Sequence, residues 1–244
     1  MDAASLCRDI INWLREKVIS SGGRGTIFGL SGGIDSAVVA VLCRKAFPEN
    51  SLGVIMPCYS PETERSHAEL VAKKFSIPCK TISLDRVFDE MLLALENKKA
   101  DETGISLAAA NLKPRLRMSV LYYLAAQHSY RVIGTGNKSE ISIGYFTKYG
   151  DAGVDFEPIG DLLKEEVCEL AAYLEIPREI IERKPTAGLW EGQSDEDELG
   201  FSYMELDSYL KGGKVNPAVA AKIKAMQQAS QHKCNMPPVF TRRT

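Results

Sequence analysis

Apolar side chains recur along this chain at two alternating spacings. Leu6, Ile10, Trp13, Leu14 and Val18 lie three and four residues apart, as on one face of a helix laid on a core. Ser21-Gly22-Gly23 ends that helix, because glycine readily takes the positive φ of a C-cap. Residues 26–30 (TIFGL) are a short apolar run rich in β-formers and predict a buried strand. Residues 37–47 (AVVAVLCRKAF) predict an apolar helix ended by Pro48. The alternation then repeats, with strands at 52–56, 79–84 and 131–134 and helices at 62–75, 85–95 and 116–126. In the helix at 62–75, Leu70, Val71 and Phe75 are the expected inward residues. Strands alternating with helices imply βαβ units. The expected class is therefore α/β, a Rossmann-like parallel sheet with helices on both faces.

After Gly134 the pattern changes. Residues 136–153 (GNKSEISIGYFTKYGDAG) are glycine-rich and keep neither period for long, as in a functional loop. Helical spacing returns at 165–174, 201–210 and 217–229. Between them lies the acidic segment 191–198 (EGQSDEDE), whose run from Asp195 to Glu198 reads as a solvated face. Within 136–153, Tyr145, Phe146 and Tyr149 either stack on a ring or anchor the loop to the core. No repeat, low-complexity tract or long linker divides the chain, so residues 1–244 are expected to form a single domain.

Composition narrows the class further. Thirty basic against 32 acidic residues leave a charge of -2, which gives no general pull towards nucleic acid or an anionic membrane. Asp2, Arg8, Asp9, Arg15, Glu16 and Lys17 interrupt the N-terminal segment, which therefore reads as neither signal peptide nor membrane span. The cysteines at 7, 43, 58, 79, 168 and 234 form no C-x-x-C pair or zinc spacing. Each reads as a small buried apolar residue, and a reducing, cytoplasmic setting is expected.

The candidate chemistry begins at Ser31-Gly32-Gly33-Ile34-Asp35-Ser36, between the first strand and its helix. Parallel sheets bind ligands at the carboxyl ends of their strands, and anions favour a helix N-terminus. Gly32 and Gly33 let the backbone approach a phosphate, while Ser31 and Ser36 supply hydroxyls. Asp35 beside phosphates is repulsive unless a cation lies between, which points to Mg²⁺. The alternative is a plain turn with Asp35 as a helix cap. The segment lacks the spacing and lysine of a Walker A loop, and it lacks G-x-G-x-x-G.

SGGxDS after a first strand resembles the phosphate loop of the ATP pyrophosphatases, whose fold is adenine nucleotide alpha hydrolase-like. Further strings are similar to the NAD synthetase family. They are NLKPRLRM at 111–118, GTGNKSE at 134–140, GYFTKYGD at 144–151, KPTAGLW at 184–190 and QSDE at 193–196. They arrive in the family's order and cover nearly the whole chain. The resemblance implies that Gly29, Leu30, Ser31, Gly32, Gly33, Ile34, Asp35 and Ser36 hold ATP, together with Thr135, Lys164 and Thr186. It places Asp35 and Glu140 on Mg²⁺. It assigns Arg115, Lys148, Asp155, His232 and Lys233 to deamido-NAD. Read as residues alone, the alternatives are solvated charges for Arg115 and Lys148, a cap or salt-bridge partner for Glu140 and a surface histidine for His232, the last weighing as much as a ligand role. Gly188 stands where many members carry Asp, and Ser194 where many carry Thr.

The implied reaction is ATP-dependent amidation of deamido-NAD by ammonia, through an adenylated nicotinate, with release of AMP and pyrophosphate. The chain has no G-x-S-x-G elbow, and its histidines (67, 128, 232) are far apart, so no protein nucleophile is expected. Asp35, Glu140 and Lys164 are the expected catalytic residues, acting by position and charge. Segments 136–153 and 191–198 are candidate lids. The resemblance also implies a homodimer, no glutamine amidase domain and ammonia as the nitrogen source. The apolar helix at 116–126 would suit a dimer interface or a core equally. A tRNA-modifying relative would carry a basic face, and a non-catalytic nucleotide-binding module would lack the two carboxylates.

Overall fold

The computed structural model describes residues 2–96, 106–186 and 194–242. Its first half alternates α1 (Ala3–Ser20), β1 (Gly25–Gly29), α2 (Ile34–Ala46), β2 (Ser51–Ile55), α3 (Glu62–Lys74), β3 (Cys79–Thr81) and α4 (Asp85–Glu96). Next come α5 (Leu107–Ala110), α6 (Leu112–His128), β4 (Tyr130–Ile133), α7 (Lys138–Ile143) and α8 (Lys164–Tyr173). The chain closes with α9 (Arg178–Ile181), α10 (Asp195–Leu199), α11 (Tyr203–Leu210) and α12 (Pro217–Cys234). The four strands are parallel, in the order β3-β2-β1-β4.

Neighbouring residues of each strand feed opposite faces, as the pleat requires. Phe28, Ile55 and Ile133 pack with α1, α2 and α8 on one side, and Ile27, Val54 and Val132 with α4 and α6 on the other. The uniformly apolar sequence of α2 follows from its place: it lies between β1, α1 and α8, and residues 37–43 are at most 1% exposed. Each such branched side chain contributes roughly 1.5–3 kcal/mol through burial. On α1, Cys7, Ile10, Leu14 and Val18 face inward, and the Asp2 carboxylate caps the helix by accepting from Ser5 N–H at 3.1 Å.

Several expectations are corrected. The strand expected at 79–84 is limited to Cys79–Thr81. On α3 the buried residues are Ala68 and Val71, while Leu70 and Phe75 are only half-buried, because the helix rests on the sheet along a narrow stripe. Helix α6 begins earlier than periodicity suggests; Pro114 is tolerated there because first-turn N–H groups need no intrahelical acceptor. Residues 136–153 are not all loop, since α7 occupies Lys138–Ile143 with a complete capping box. The acidic run forms α10, where Glu196, Asp197 and Glu198 are exposed as a solvated face, whereas Asp195, 4% exposed, turns inward. Cys79 and Cys234 are exposed; all six cysteines are free.

β1 pairs with β2 on one side and β4 on the other, so the connections leaving β1 and β4 diverge at their carboxyl ends. That divergence opens a crevice where parallel sheets bind ligands. Phe156 adds a parallel bridge beyond Ile133, returning the chain alongside β4. A third cluster, including Ile143, Phe201, Tyr203, Leu206 and Ile223, ties α7 to α11 and α12. This packing holds the C-terminal helices over one side of the crevice.

Candidate active site

The crevice is a cavity of about 590 Å³ whose floor is the β1 to α2 connection. Gly29, Leu30, Ser31, Gly33, Ile34, Asp35 and Ser36 all line it. Gly32 takes φ +82°, and a Cβ there would stand 2.3 Å from the Glu64 carbonyl, so only glycine fits. The loop is tied internally. Ser36 Oγ donates to the Gly33 carbonyl at 2.9 Å, and Ser31 N–H donates to Ser36 Oγ at 3.2 Å. Asp35 is not the helix cap. Gly33 holds that position without a side-chain bond, and Asp35 points across the crevice.

There Asp35 meets residues from the β4 side. Lys164 Nζ lies 2.6 Å from Asp35 Oδ2 and 3.1 Å from Glu140 Oε1. Asn137 Nδ2 donates to Asp35 Oδ1 at 2.9 Å. Tyr203 OH donates to Glu140 Oε1 at 3.2 Å and to Asp195 Oδ2 at 3.1 Å. Burial pushes the Glu140 carboxyl upward, partly countered by Lys164. Burial pulls the Lys164 ammonium down, but Asp35 and Glu140 outweigh it, and the net shift is upward. The lysine therefore stays charged. Glu140 is both cap and ion-pair partner: its N–H donates to Asn137 Oδ1 at 3.0 Å in the capping box of α7.

Behind this cluster stands a support that no sequence pattern signals. Asp207, 1% exposed, accepts from Glu165 N–H at 3.0 Å and from the Ser139 hydroxyl, which in turn accepts from Lys164 N–H at 3.0 Å. Two otherwise unpaired donors at the start of α8 are thus satisfied, Glu165 N–H by Asp207 of α11 and Lys164 N–H by Ser139 of α7, fixing Lys164 at the helix N-terminus. Glu157 is a second missed residue. Its carboxyl accepts from Gly136 N–H at 3.1 Å, and burial pushes it up to about 8. A Cβ on Gly134 would meet that carboxyl at 2.3 Å, which explains glycine at the end of β4.

The other expected residues divide into two groups. Thr135, Thr186 and Lys233 line the cavity. Lys233 Nζ also donates to the carbonyls of Gly144 and Phe146 at 2.8 and 3.0 Å. Arg115, Lys148, Asp155 and His232 are not in the wall. Arg115 Nε donates to the Lys148 carbonyl at 3.3 Å, and Lys148 Nζ to the His232 carbonyl at 2.5 Å, so these three gather in one patch. Asp155 accepts from Val132 N–H at 2.8 Å and from Tyr122 OH at 3.2 Å, fastening the chain to β4. Tyr145 anchors the 136–153 segment, donating to Asp195 and Glu198 at 3.1 and 2.9 Å, whereas Tyr149 is exposed. Gly188 and Gln193 lie outside the described residues.

A glycine-cradled helix N-terminus facing a lysine held by two carboxylates is suited to a polyphosphate and the charge that develops on it. Comparison with known proteins agrees in kind. A family profile described as NAD synthase matches residues 6–237. The ammonia-dependent NAD(+) synthetase of Carboxydothermus hydrogenoformans is 49% identical over 230 residues, covering 94% of each chain. Among solved structures, the NMN synthetase from Francisella tularensis superposes with a TM-score of 0.93 at 34% identity, over 98% of this chain and 99% of that one. The ammonia-dependent NAD synthetase from Campylobacter jejuni gives 0.81 at 31%, over 99% and 100%. On sequence along nearly its whole length, and on a fold that brings Asp35, Glu140 and Lys164 together, the chain belongs to the NAD synthase family.

Proposed function

We propose that the chain is a ligase that amidates deamido-NAD with ammonia at the expense of ATP, releasing AMP and pyrophosphate. The observation that carries this reading is the Asp35–Lys164–Glu140 cluster facing the phosphate loop across one cavity, in a chain of the NAD synthase family. The nicotinate carboxylate attacks the α-phosphorus, and the bond to the β-phosphate oxygen breaks. Ammonia then attacks the activated carbonyl, and AMP leaves.

Each demand of those steps has a residue. The N–H groups at the start of α2 and the Ser31 and Ser36 hydroxyls hold phosphate oxygens, and Lys164 offsets charge on the departing pyrophosphate. Thr135 and Thr186 stand in the same wall to orient ATP. Asp35 and Glu140 converge on one point, and no third His, Cys, Asp or Glu joins them among the described residues. Two hard oxygen donors completed by phosphate oxygens and water fit Mg²⁺, with the two carboxylates as its protein ligands. When bound, that ion supplies positive charge to the phosphates. The Arg115–Lys148–His232 patch and Asp155 would meet the part of the dinucleotide that extends beyond the cavity. Segment 136–153 and α10 would shield the adenylate from water; residues 191–193 of the second candidate lid lie outside the described residues.

We further assign a single synthetase domain using free ammonia, a homodimer and a cytoplasmic setting. Among the described residues no helix is long and apolar enough to cross a membrane.

A second reading has its own support. The fold superposes better on the Francisella NMN synthetase than on the Campylobacter NAD synthetase, 0.93 against 0.81. In that reading the substrate is a mononucleotide carrying the same carboxylate. Competition between nicotinate mononucleotide and deamido-NAD, with ATP, Mg²⁺ and ammonium, separates the two. A higher kcat/KM for deamido-NAD supports the first reading, and a higher value for the mononucleotide replaces it.

A further inference from the structure

The cavity holds a second ion pair beside the phosphate loop. Arg183, between α9 and Thr186, places Nη2 3.2 Å from Glu64 Oε1 on the first turn of α3. Both residues line the cavity with Ser31 and Gly33, and their side chains are 23% and 13% exposed. The pair is seated directly on the loop. The Glu64 carbonyl and the Ala68 N–H are the backbone atoms that a Cβ on Gly32 would strike, at 2.3 and 3.1 Å.

Charge in the cavity sharpens its meaning. Lys164 is shared by two carboxylates and cannot by itself neutralise a triphosphate. Arg65 is engaged by Glu69 at 2.9 Å. Arg117 donates to the Met56 carbonyl at 3.1 Å and to Ser60 Oγ at 3.4 Å. Among the described residues Arg183 is held by the Glu64 carboxylate, partly desolvated, beside the loop. A guanidinium is also the side chain whose planar donors match two phosphate oxygens at once.

We propose that Arg183 is a catalytic residue of the adenylation step, exchanging Glu64 for the β- and γ-phosphates and holding pyrophosphate as it departs. This rests on the ligase reading above. As the carboxylate oxygen bonds to the α-phosphorus, the Pα–O bond breaks and pyrophosphate leaves with the bonding pair. Arg183 receives that added negative charge, and Glu64 holds the guanidinium in position while the site is empty.

The test uses the full chain and inorganic pyrophosphate as probe. Pyrophosphate inhibition and the exchange of labelled pyrophosphate into ATP are measured with deamido-NAD present and ammonia absent. Arg183→Gln is expected to weaken pyrophosphate inhibition about ten- to a hundredfold, the loss of one charge-assisted contact, and to slow exchange by a similar factor. Its KM for deamido-NAD should stay as in the parent. Arg183→Lys should recover part of both losses, and Glu64→Gln, which frees the guanidinium, should tighten pyrophosphate inhibition. Unchanged pyrophosphate inhibition in a folded Arg183→Gln overturns the assignment. If that variant does not fold, Glu64→Gln decides: inhibition no tighter than the parent's overturns it. A parent that exchanges no pyrophosphate and forms ADP overturns the ligase reading itself, and Arg183's role with it.

Discussion

Asp35 shares Lys164 with Glu140 and accepts from Asn137, so its charge is partnered before any phosphate arrives. Asp35→Asn keeps the volume and removes the charge. Turnover should fall by roughly 10²–10³-fold, the usual cost of losing one preorganised electrostatic group, while circular dichroism stays unchanged; wild-type turnover would exclude the charge from the reaction. Glu157 offers a different test at the same scale. Burial raises its carboxyl from 4.5 to about 8, so the folded chain keeps a proton that the unfolded chain releases. The penalty is absent below the unfolded value, grows as pH rises from about 4.5 and is complete near 8. Glu157→Gln removes it. The melting temperature of the variant should therefore gain on the parent across that window, by about 2–4 °C per kcal/mol for a chain of this size. A constant difference from pH 5 to pH 8 would contradict a buried neutral acid. Asp35 and Glu140 were legible because each sits in a recognisable string, and Lys164 because the family resemblance matches its position to one that contacts ATP. Asp207 and Glu157 were not: their partners lie 42 and 21 residues away, and a carboxylate turned inward leaves no mark on local spacing.

At the scale of elements, two helix N-termini carry the site, and each can be tested by one change. Gly32→Ala puts a Cβ 2.3 Å from the Glu64 carbonyl at φ +82°, so the loop or α3 must move. Thermal stabilisation by ATP should be lost in that variant, and retained stabilisation would show that the loop does not hold the phosphates. Asp207→Ala leaves Glu165 N–H and the Ser139 hydroxyl without their acceptor at the start of α8. Unpaired buried donors cost about 1–3 kcal/mol each. Melting should fall by several °C, and turnover should fall with it as Lys164 loses its fixed position; lower stability with unchanged turnover would limit Asp207 to folding. The βαβ frame of the first half was readable because buried parallel strands and their helices have different periods. The region from Gly136 onward was not, because α7 is only a turn and a half long, too short for a period to register, and is set by its capping box. In α10, Asp195 is polar in sequence yet buried beside Tyr145 and Tyr203, so composition pointed outward while hydrogen bonding drew it in.

For the whole molecule, the strand order β3-β2-β1-β4 places the ends of β1 and β4 side by side. Residues far apart in sequence, such as Asp35 and Lys164, thereby meet at one crevice. The account's central claim is that a substrate carboxylate attacks the α-phosphorus of ATP in that crevice. Deamido-NAD labelled with ¹⁸O in its nicotinate carboxylate, turned over with ATP, Mg²⁺ and ammonium, tests it directly by mass spectrometry of the products. One labelled oxygen should appear in the phosphate of AMP and none in pyrophosphate. Label in pyrophosphate or inorganic phosphate, or unlabelled AMP, would contradict the claim.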